Sequence, residues 1–300
     1  MNAALLDHIE NTTKGILATI LRTEGHTYKK AGEKALFVVD SPFAVYGNLG
    51  SLCVDQDIVR VGKEAYAAGK PQVVKIDTSD PSDIHLGYGT YCGGMMEILL
   101  EPISEAHRKV YRELGSRLDK KDTVYLRHHL PSGDISICDT LPERNADFYV
   151  EEVAPRLDLF MVGATPLARQ LIPYLADMNF RLHIVDWRAG HLEKFGGTRD
   201  LILHNDEYPF DSRSLVLILT QSFERDKEVL KTALAKGCAY VGLLSSKSRR
   251  DTLFETLAGE GVSVRDLGRV SSPVGIDLHA KTDPEIAIGI VAEIVGFVNR

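Results

Sequence analysis

The second half of the chain alternates strand with helix, and that rhythm restricts its fold more than any other feature. The apolar run "RLDLFMVGA" (156–164) turns into the helical pattern "PLARQLIPYLADMN" (166–179), and "FRLHIVDWR" (180–188) follows as the next strand. Further strands are predicted at "SLVLILT" (214–220), "AYVGLL" (239–244) and the C-terminal "PEIAIGIVAEIVGFV" (284–298). Helices at "FERDKEVLKTALAKG" (223–237) and "SKSRRDTLFETLAGEG" (246–261) separate them. Strands spaced one helix apart pair in parallel. A parallel sheet is covered on both faces, so its strands read as continuous apolar runs. The pattern predicts an α/β fold with a Rossmann-like parallel-sheet domain over 156–300.

The first half mixes elements without that regularity. "ALLDHIEN" (4–11) places Leu5, Leu6 and Ile9 on one helical face. "ILATILRT" (16–23) reads as a buried strand, and "KALFVVD" with "FAVYGN" reads as a hairpin about Asp40-Ser41-Pro42. A helix over 54–69 closes at Gly69, and "QVVKID" (72–77) and "MMEILLEP" (95–102) are strands. A helix over 104–117 and a hairpin turning at Pro131-Ser132-Gly133 come next. The polar stretch 140–156 is expected to be a connector. The boundaries expected are a smaller mixed α+β domain over 1–103, then a helix, hairpin and connector over 104–155, then the Rossmann-like domain.

Charge and cysteine usage narrow the function. A net charge of −7 argues against a sequence-independent hold on nucleic acid, which needs a basic surface. The run Lys247, Arg249 and Arg250 is expected to be a solvated helix start. "LVLIL" (215–219) is far short of the ~20 apolar residues that cross a bilayer. The N-terminal stretch carries Asp7 and Glu10 and lacks the build of a secretion signal, so a cytoplasmic protein is expected. Cysteines 53, 92, 138 and 238 lie far apart with no Cys-x-x-Cys pair, which fits free thiols and excludes the usual zinc ribbons.

Two stretches carry candidate chemistry. In "GYGTYCGGMMEILLEP" (87–102), Cys92 stands against Gly93 and Gly94. Glycine lets a ligand or another chain segment approach, so this is either a tight turn with an incidental thiol or a cradle around a sulfur. The other stretch is the turn "GATPLA" (163–168). Gly163 and Ala168 fit the ends of a dinucleotide fingerprint and Asp186 ends the next strand, but Thr165 replaces the middle glycine. Helix N-terminal amides could still hold a phosphate there. The other reading is a Rossmann scaffold with a weakened nucleotide site. His183 is expected to be packed or at an edge, and His191, His204 and His279 lack spaced partners, which argues against a protein-ligated metal site.

Six blocks together resemble a known family: "GHTYKKAGEK" (25–34), "GNLGSLCVD" (47–55), "GYGTYCGGMMEILLEP", the 163–168 turn with "VDWR" (185–188), "AYVGLLSSKSRR" (239–250) and "SSPVGIDLHA" (271–280). Their order is that of the xanthine dehydrogenase accessory proteins (XdhC/CoxI-like). The resemblance implies a chaperone of the molybdenum cofactor, in molybdopterin or dinucleotide form. Such a chaperone binds the cofactor transiently, promotes its sulfuration and delivers it to the molybdenum subunit of xanthine dehydrogenase in purine catabolism. It also implies a homodimer, and a cysteine desulfurase as a further partner.

Sulfur suits a thiophilic metal, so the resemblance places Cys92, then Cys53, at the molybdenum, with Gly93 and Gly94 beside them. Gly163, Thr165 and Asp186 would face a phosphate or nucleotide, and Asp277 of "GIDLHA" would join the cofactor site. Around Cys53 this chain has Gly50-Ser51-Leu52-Cys53 where the family is similar to Ser-Gly-Gly-Cys, and Thr220-Gln221 stands where the family has threonine-histidine. Cys138 and Cys238 are expected to be packed thiols, and Met95 and Met96 to pack in the core. Competing readings are an NAD(P)-dependent oxidoreductase or dehydrogenase subunit that uses the Rossmann domain directly, and an interaction protein without ligands.

Overall fold

The structure is a computed structural model that describes residues 3–39, 44–49, 52–77, 94–143, 145–176, 178–196 and 201–300, without the side chains of 3, 4 and 52–57. The chain divides into two compact units, Met1–Pro155 and Arg156–Arg300.

In the N-terminal unit, helix α1 (Ala3–Asn11) precedes β1 (Gly15–Gly25), β2 (Lys34–Val38) and β3 (Val45–Gly47). Helix α2 (Leu52–Ala68), β4 (Gln72–Asp77) and β5 (Gly94–Pro102) follow. These strands form one antiparallel sheet in the order β3-β2-β1-β5-β4. The first six residues of β1 are all buried, because both faces of the sheet are covered. Ile16, Ala18 and Ile20 pack with Ile58 of α2, while Leu17 and Leu36 pack with Ile9 of α1 and with Tyr111 and Leu114 of α3 (Glu105–Asp119). Ser104 caps α3 by accepting the His107 amide.

A second, three-stranded antiparallel sheet runs β7-β6-β8, with β6 at Val124–His129, β7 at Ile135–Cys138 and β8 at Phe148–Val153. Strand β8 lies within the stretch 140–156 that was expected to be a polar connector, and no strand was read there. Its sequence "FYVEEV" carries two glutamates that mask the apolar signal, and Glu151 is nonetheless drawn inside to meet buried cations.

The C-terminal unit holds six parallel strands in the order β11-β10-β9-β12-β13-β14. They are β9 (Leu157–Val162), β10 (Phe180–Asp186), β11 (Leu201–Asn205), β12 (Leu215–Ile218), β13 (Tyr240–Leu243) and β14 (Val270–Ser271). Counted within the unit this is 3-2-1-4-5-6, the dinucleotide-binding order, whose switch point lies between β9 and β12. On one face α4 (Pro166–Leu175) packs with the last helix; on the other lie α6 (Phe223–Ala235) and α7 (Lys247–Gly259). The short helices α5 (Ala189–Leu192) and α8 (Val264–Leu267) sit in connections.

The C-terminal apolar run is a helix, α9 (Asp283–Val298), and not the strand expected from its Ile and Val content. Ala287, Ile290 and Ile294 face the core, a spacing of three and four. Its start is written in the sequence: Thr282 precedes a proline in the first turn, and Glu285 accepts the amides of Lys281 at 2.7 Å and Thr282 at 3.0 Å.

Candidate functional site

Gly94 begins β5 and lies in register with Gly25, the last residue of β1. A Cβ on Gly94 would stand 2.3 Å from the His26 carbonyl oxygen and 2.8 Å from the Thr27 methyl. Its missing side chain therefore makes room for the chain's own loop after β1, the loop that carries "HTYKK". Thr27 Oγ1 donates to the Lys29 carbonyl at 2.7 Å within it, and Tyr28 is largely exposed. Cys92 and Gly93 lie outside the described residues. Cys53 falls in the first turn of α2, where side chains are likewise outside the description.

The C-terminal ends of the parallel strands bring three expected residues together. Gly163 adopts φ +115°, and a Cβ there would press on the Leu219 carbonyl at 2.9 Å, so β9 can turn closely past β12 only with glycine at this point. Thr165 caps α4 by accepting the Ala168 amide at 3.2 Å, and Pro166 fills the first turn. Asp186 Oδ2 accepts the Ala164 amide at 2.7 Å and Arg188 Nη2–H at 2.7 Å. Its Oδ1 accepts the Arg188 amide at 2.8 Å and Arg188 Nε–H at 2.9 Å. Burial pushes the Asp186 carboxyl up, but these bonds outweigh it and hold the group below its usual range. Trp187 is flanked by Arg188 and Arg225, whose guanidinium carbons lie 4.5 and 4.9 Å from its ring centroid.

Asp277 lies on an exposed loop, where its Oδ1 accepts the His279 amide at 2.9 Å. His279 takes φ +53° with its side chain in solvent.

Several polar groups escaped the sequence reading. Arg249 and Arg250 are not a merely solvated helix start. Arg249 donates to the buried Asp226 carboxylate and to the Gln221 carbonyl, and Arg250 donates to the Ser272 carbonyl at 2.9 Å. Thr220 Oγ1–H also donates to Asp226. Burial raises the Asp226 carboxyl despite both partners. His204, expected to lack a partner, has one. His183 Nε2 bonds Asp158 at 3.0 Å and His183 Nδ1 bonds His204 Nε2 at 2.9 Å, a diagonal across three strands. Burial, then the neighbouring His183, lowers His204.

The N-terminal unit buries four charged or titratable groups together. Lys34 Nζ lies 2.8 Å from Glu151 Oε1 and donates to Thr19 Oγ1 at 3.0 Å. His128 Nδ1 stands 3.0 Å from both Glu101 oxygens, and its Nε2 is 3.3 Å from Glu151. The sequence signal was a lysine and a glutamate inside apolar runs, "KALFVV" and "EILLEP". Cys238 is fully buried, and desolvation lifts its thiol to about 11; Met96 is buried too, as expected. Among the described residues, no three His, Cys, Asp or Glu side chains are placed to hold a metal, and no helix is long and apolar enough to cross a membrane.

Two family models match: one described as the XdhC and CoxI family covers residues 8–77, and one described as the XdhC Rossmann domain covers 159–294. The chain belongs to the XdhC and CoxI family. As an XdhC/CoxI protein it is 24% identical to a probable xanthine dehydrogenase subunit of Bacillus subtilis (strain 168), over 96% of its own length and 94% of that protein's. It is 21% identical to the molybdenum cofactor insertion chaperone PaoD of Escherichia coli (strain K12), over 93% and 82% of the two chains. A crystal structure described as a xanthine dehydrogenase from Bacillus halodurans matches with a TM-score of 0.84 at 23% identity, over 99% of this chain and 95% of the other. At that identity the likeness speaks for the fold.

Proposed function

We propose that this chain is a binding and maturation factor for the molybdenum cofactor, serving xanthine dehydrogenase or a related molybdenum hydroxylase. The observation that carries the reading is family membership across both units. The name of PaoD as an insertion chaperone and that of the Bacillus subtilis relative as a dehydrogenase component support it. The cofactor is cargo: it is received, sheltered while sulfur is installed, and released to the enzyme.

Within that role the Cys92 thiolate is the first candidate for the metal and Cys53 the second, since soft sulfur suits such a centre better than oxygen. Gly93 is proposed to let the cargo approach. The reading also carries a cytoplasmic location, a homodimer, sulfur from a separate cysteine desulfurase and service to purine catabolism. The competing reading is an NAD(P)-dependent oxidoreductase; against it, the amides of Ala164 and Ala168 at the 163–168 turn are already bonded within the chain.

Mixing the purified protein with released molybdenum cofactor, removing excess and measuring retained molybdenum tests the site. Cys92→Ala should retain far less than the parent, and Cys92→Ala with Cys53→Ala less again. Equal retention by all three would remove both thiols from the site.

A further inference from the structure

Of the dinucleotide fingerprint, Gly163, the amides of Ala164, Thr165 and Ala168, and Asp186 have occupants from this chain. A bound pyrophosphate needs bare amides at the helix N-terminus. Here the Ala164 amide donates to Asp186 at 2.7 Å, the Thr165 amide to the Gly163 carbonyl at 2.9 Å, and the Ala168 amide to Thr165 Oγ1 at 3.2 Å. Pro166 has no amide to offer. The space freed by Gly163 is taken by the backbone of Leu219 and Thr220. At the end of β10, a carboxylate that would accept ribose hydroxyls has to present an open oxygen. The Asp186 side chain is fully buried, and each of its oxygens already accepts two N–H groups.

We propose that this turn is self-liganded: Asp186, Arg188 and Thr165 occupy the positions of ribose and pyrophosphate, and the Rossmann-like unit holds its turn closed without NAD(P). The arrangement explains why threonine is accepted where the fingerprint has glycine. The Thr165 side chain is itself the cap, so no phosphate has to pass it. It also explains why arginine follows Trp187. A buried aspartate needs a cation and donors, and Arg188 supplies three N–H groups from one residue.

Trp187 is the sole tryptophan of the chain and adjoins Asp186, so its fluorescence reports on this site. Titrating the full-length protein with NADH and NADPH should give no saturable energy transfer from Trp187, with any Kd above about 1 mM. Saturable binding of either nucleotide in the micromolar range would overturn the proposal. A second measurement uses no nucleotide: melting of Asp186→Asn and Asp186→Ala. A structural lock predicts that both melt below the parent: asparagine keeps one acceptor oxygen but turns an NH2 group toward the N–H donors of the other, and alanine removes both acceptors. Midpoints equal to the parent's would mean that Asp186 is held in reserve for a ligand, and would likewise end the proposal.

Discussion

Replacing Lys34 by methionine leaves two buried carboxylates, Glu101 and Glu151, facing a single imidazole. Lys34 is 3% exposed and Glu151 is 11% exposed, so water cannot replace the lost ammonium. Burial alone would raise Glu151, yet Lys34 and His128 outweigh it and bring the carboxyl from 4.5 to about 2. That displacement corresponds to about 3 kcal/mol at neutral pH. Removing one partner of a buried pair costs about 3–5 kcal/mol. The two figures agree, and a loss of about 3–4 kcal/mol corresponds to roughly 6–16 °C in the melting midpoint of a unit of this size.

The pH dependence has a definite sign. Glu151 is depressed, so its contribution is present above its unfolded value of 4.5 and disappears as pH falls through about 2. Burial opposes the charge on His128, but Glu101 and the bonds to both carboxylates raise it above 6.5. Its contribution is therefore full below 6.5 and is lost as pH rises through the elevated value. Urea denaturation of parent and Lys34→Met, followed by circular dichroism from neutral to acid pH, should show a gap that narrows in acid. Lys34→Met paired with Glu151→Leu should recover most of the loss. A single variant within about 1 kcal/mol of the parent at neutral pH, or a gap unchanged in acid, would refute the reasoning.

Gly94→Ala should destabilise the N-terminal unit by about 3 kcal/mol or more, because the clash is with the His26 backbone and not with a yielding side chain; denaturant midpoints check it, and an unchanged midpoint counts against the close approach. Tyr111→Phe should be neutral or stabilising by about 1 kcal/mol, since the buried hydroxyl has no protein partner. A loss of that size instead would reveal a hydrogen-bonded water at the hydroxyl. Cys238, with its thiol raised to about 11, should resist alkylation in native protein near neutral pH and react on unfolding, as mass spectrometry of labelled peptides would record.

The parallel sheet was legible because β9, β10, β12 and β13 are largely buried and stand out as apolar runs, while β11 and β14, exposed or half-buried, were not read as strands. Two elements misled. Helix α9 is apolar nearly all round, so composition suggested a strand, although Thr282, Pro284 and Glu285 announced a helix start. Strand β8 was hidden by Glu151, whose burial depends on Lys34 more than a hundred residues away, a pairing no local pattern encodes. The same holds for Asp186. Its place after a strand suggested a ligand, and the fold shows its carboxylate bonded to Arg188 and to an amide 22 residues earlier. Gly94 was read as admitting a ligand or another chain segment, and only three-dimensional proximity shows that the His26 backbone stands against it.

Transfer is the most direct measure of the chain's role. Protein loaded with molybdenum cofactor, then separated from excess, would be mixed with cofactor-free xanthine dehydrogenase while molybdenum transfer and enzyme activity are followed together. The account predicts that both rise in step, faster than with the same amount of free cofactor, and that Cys92→Ala supports neither. Activation no faster than with free cofactor, or undiminished transfer by Cys92→Ala, would contradict it.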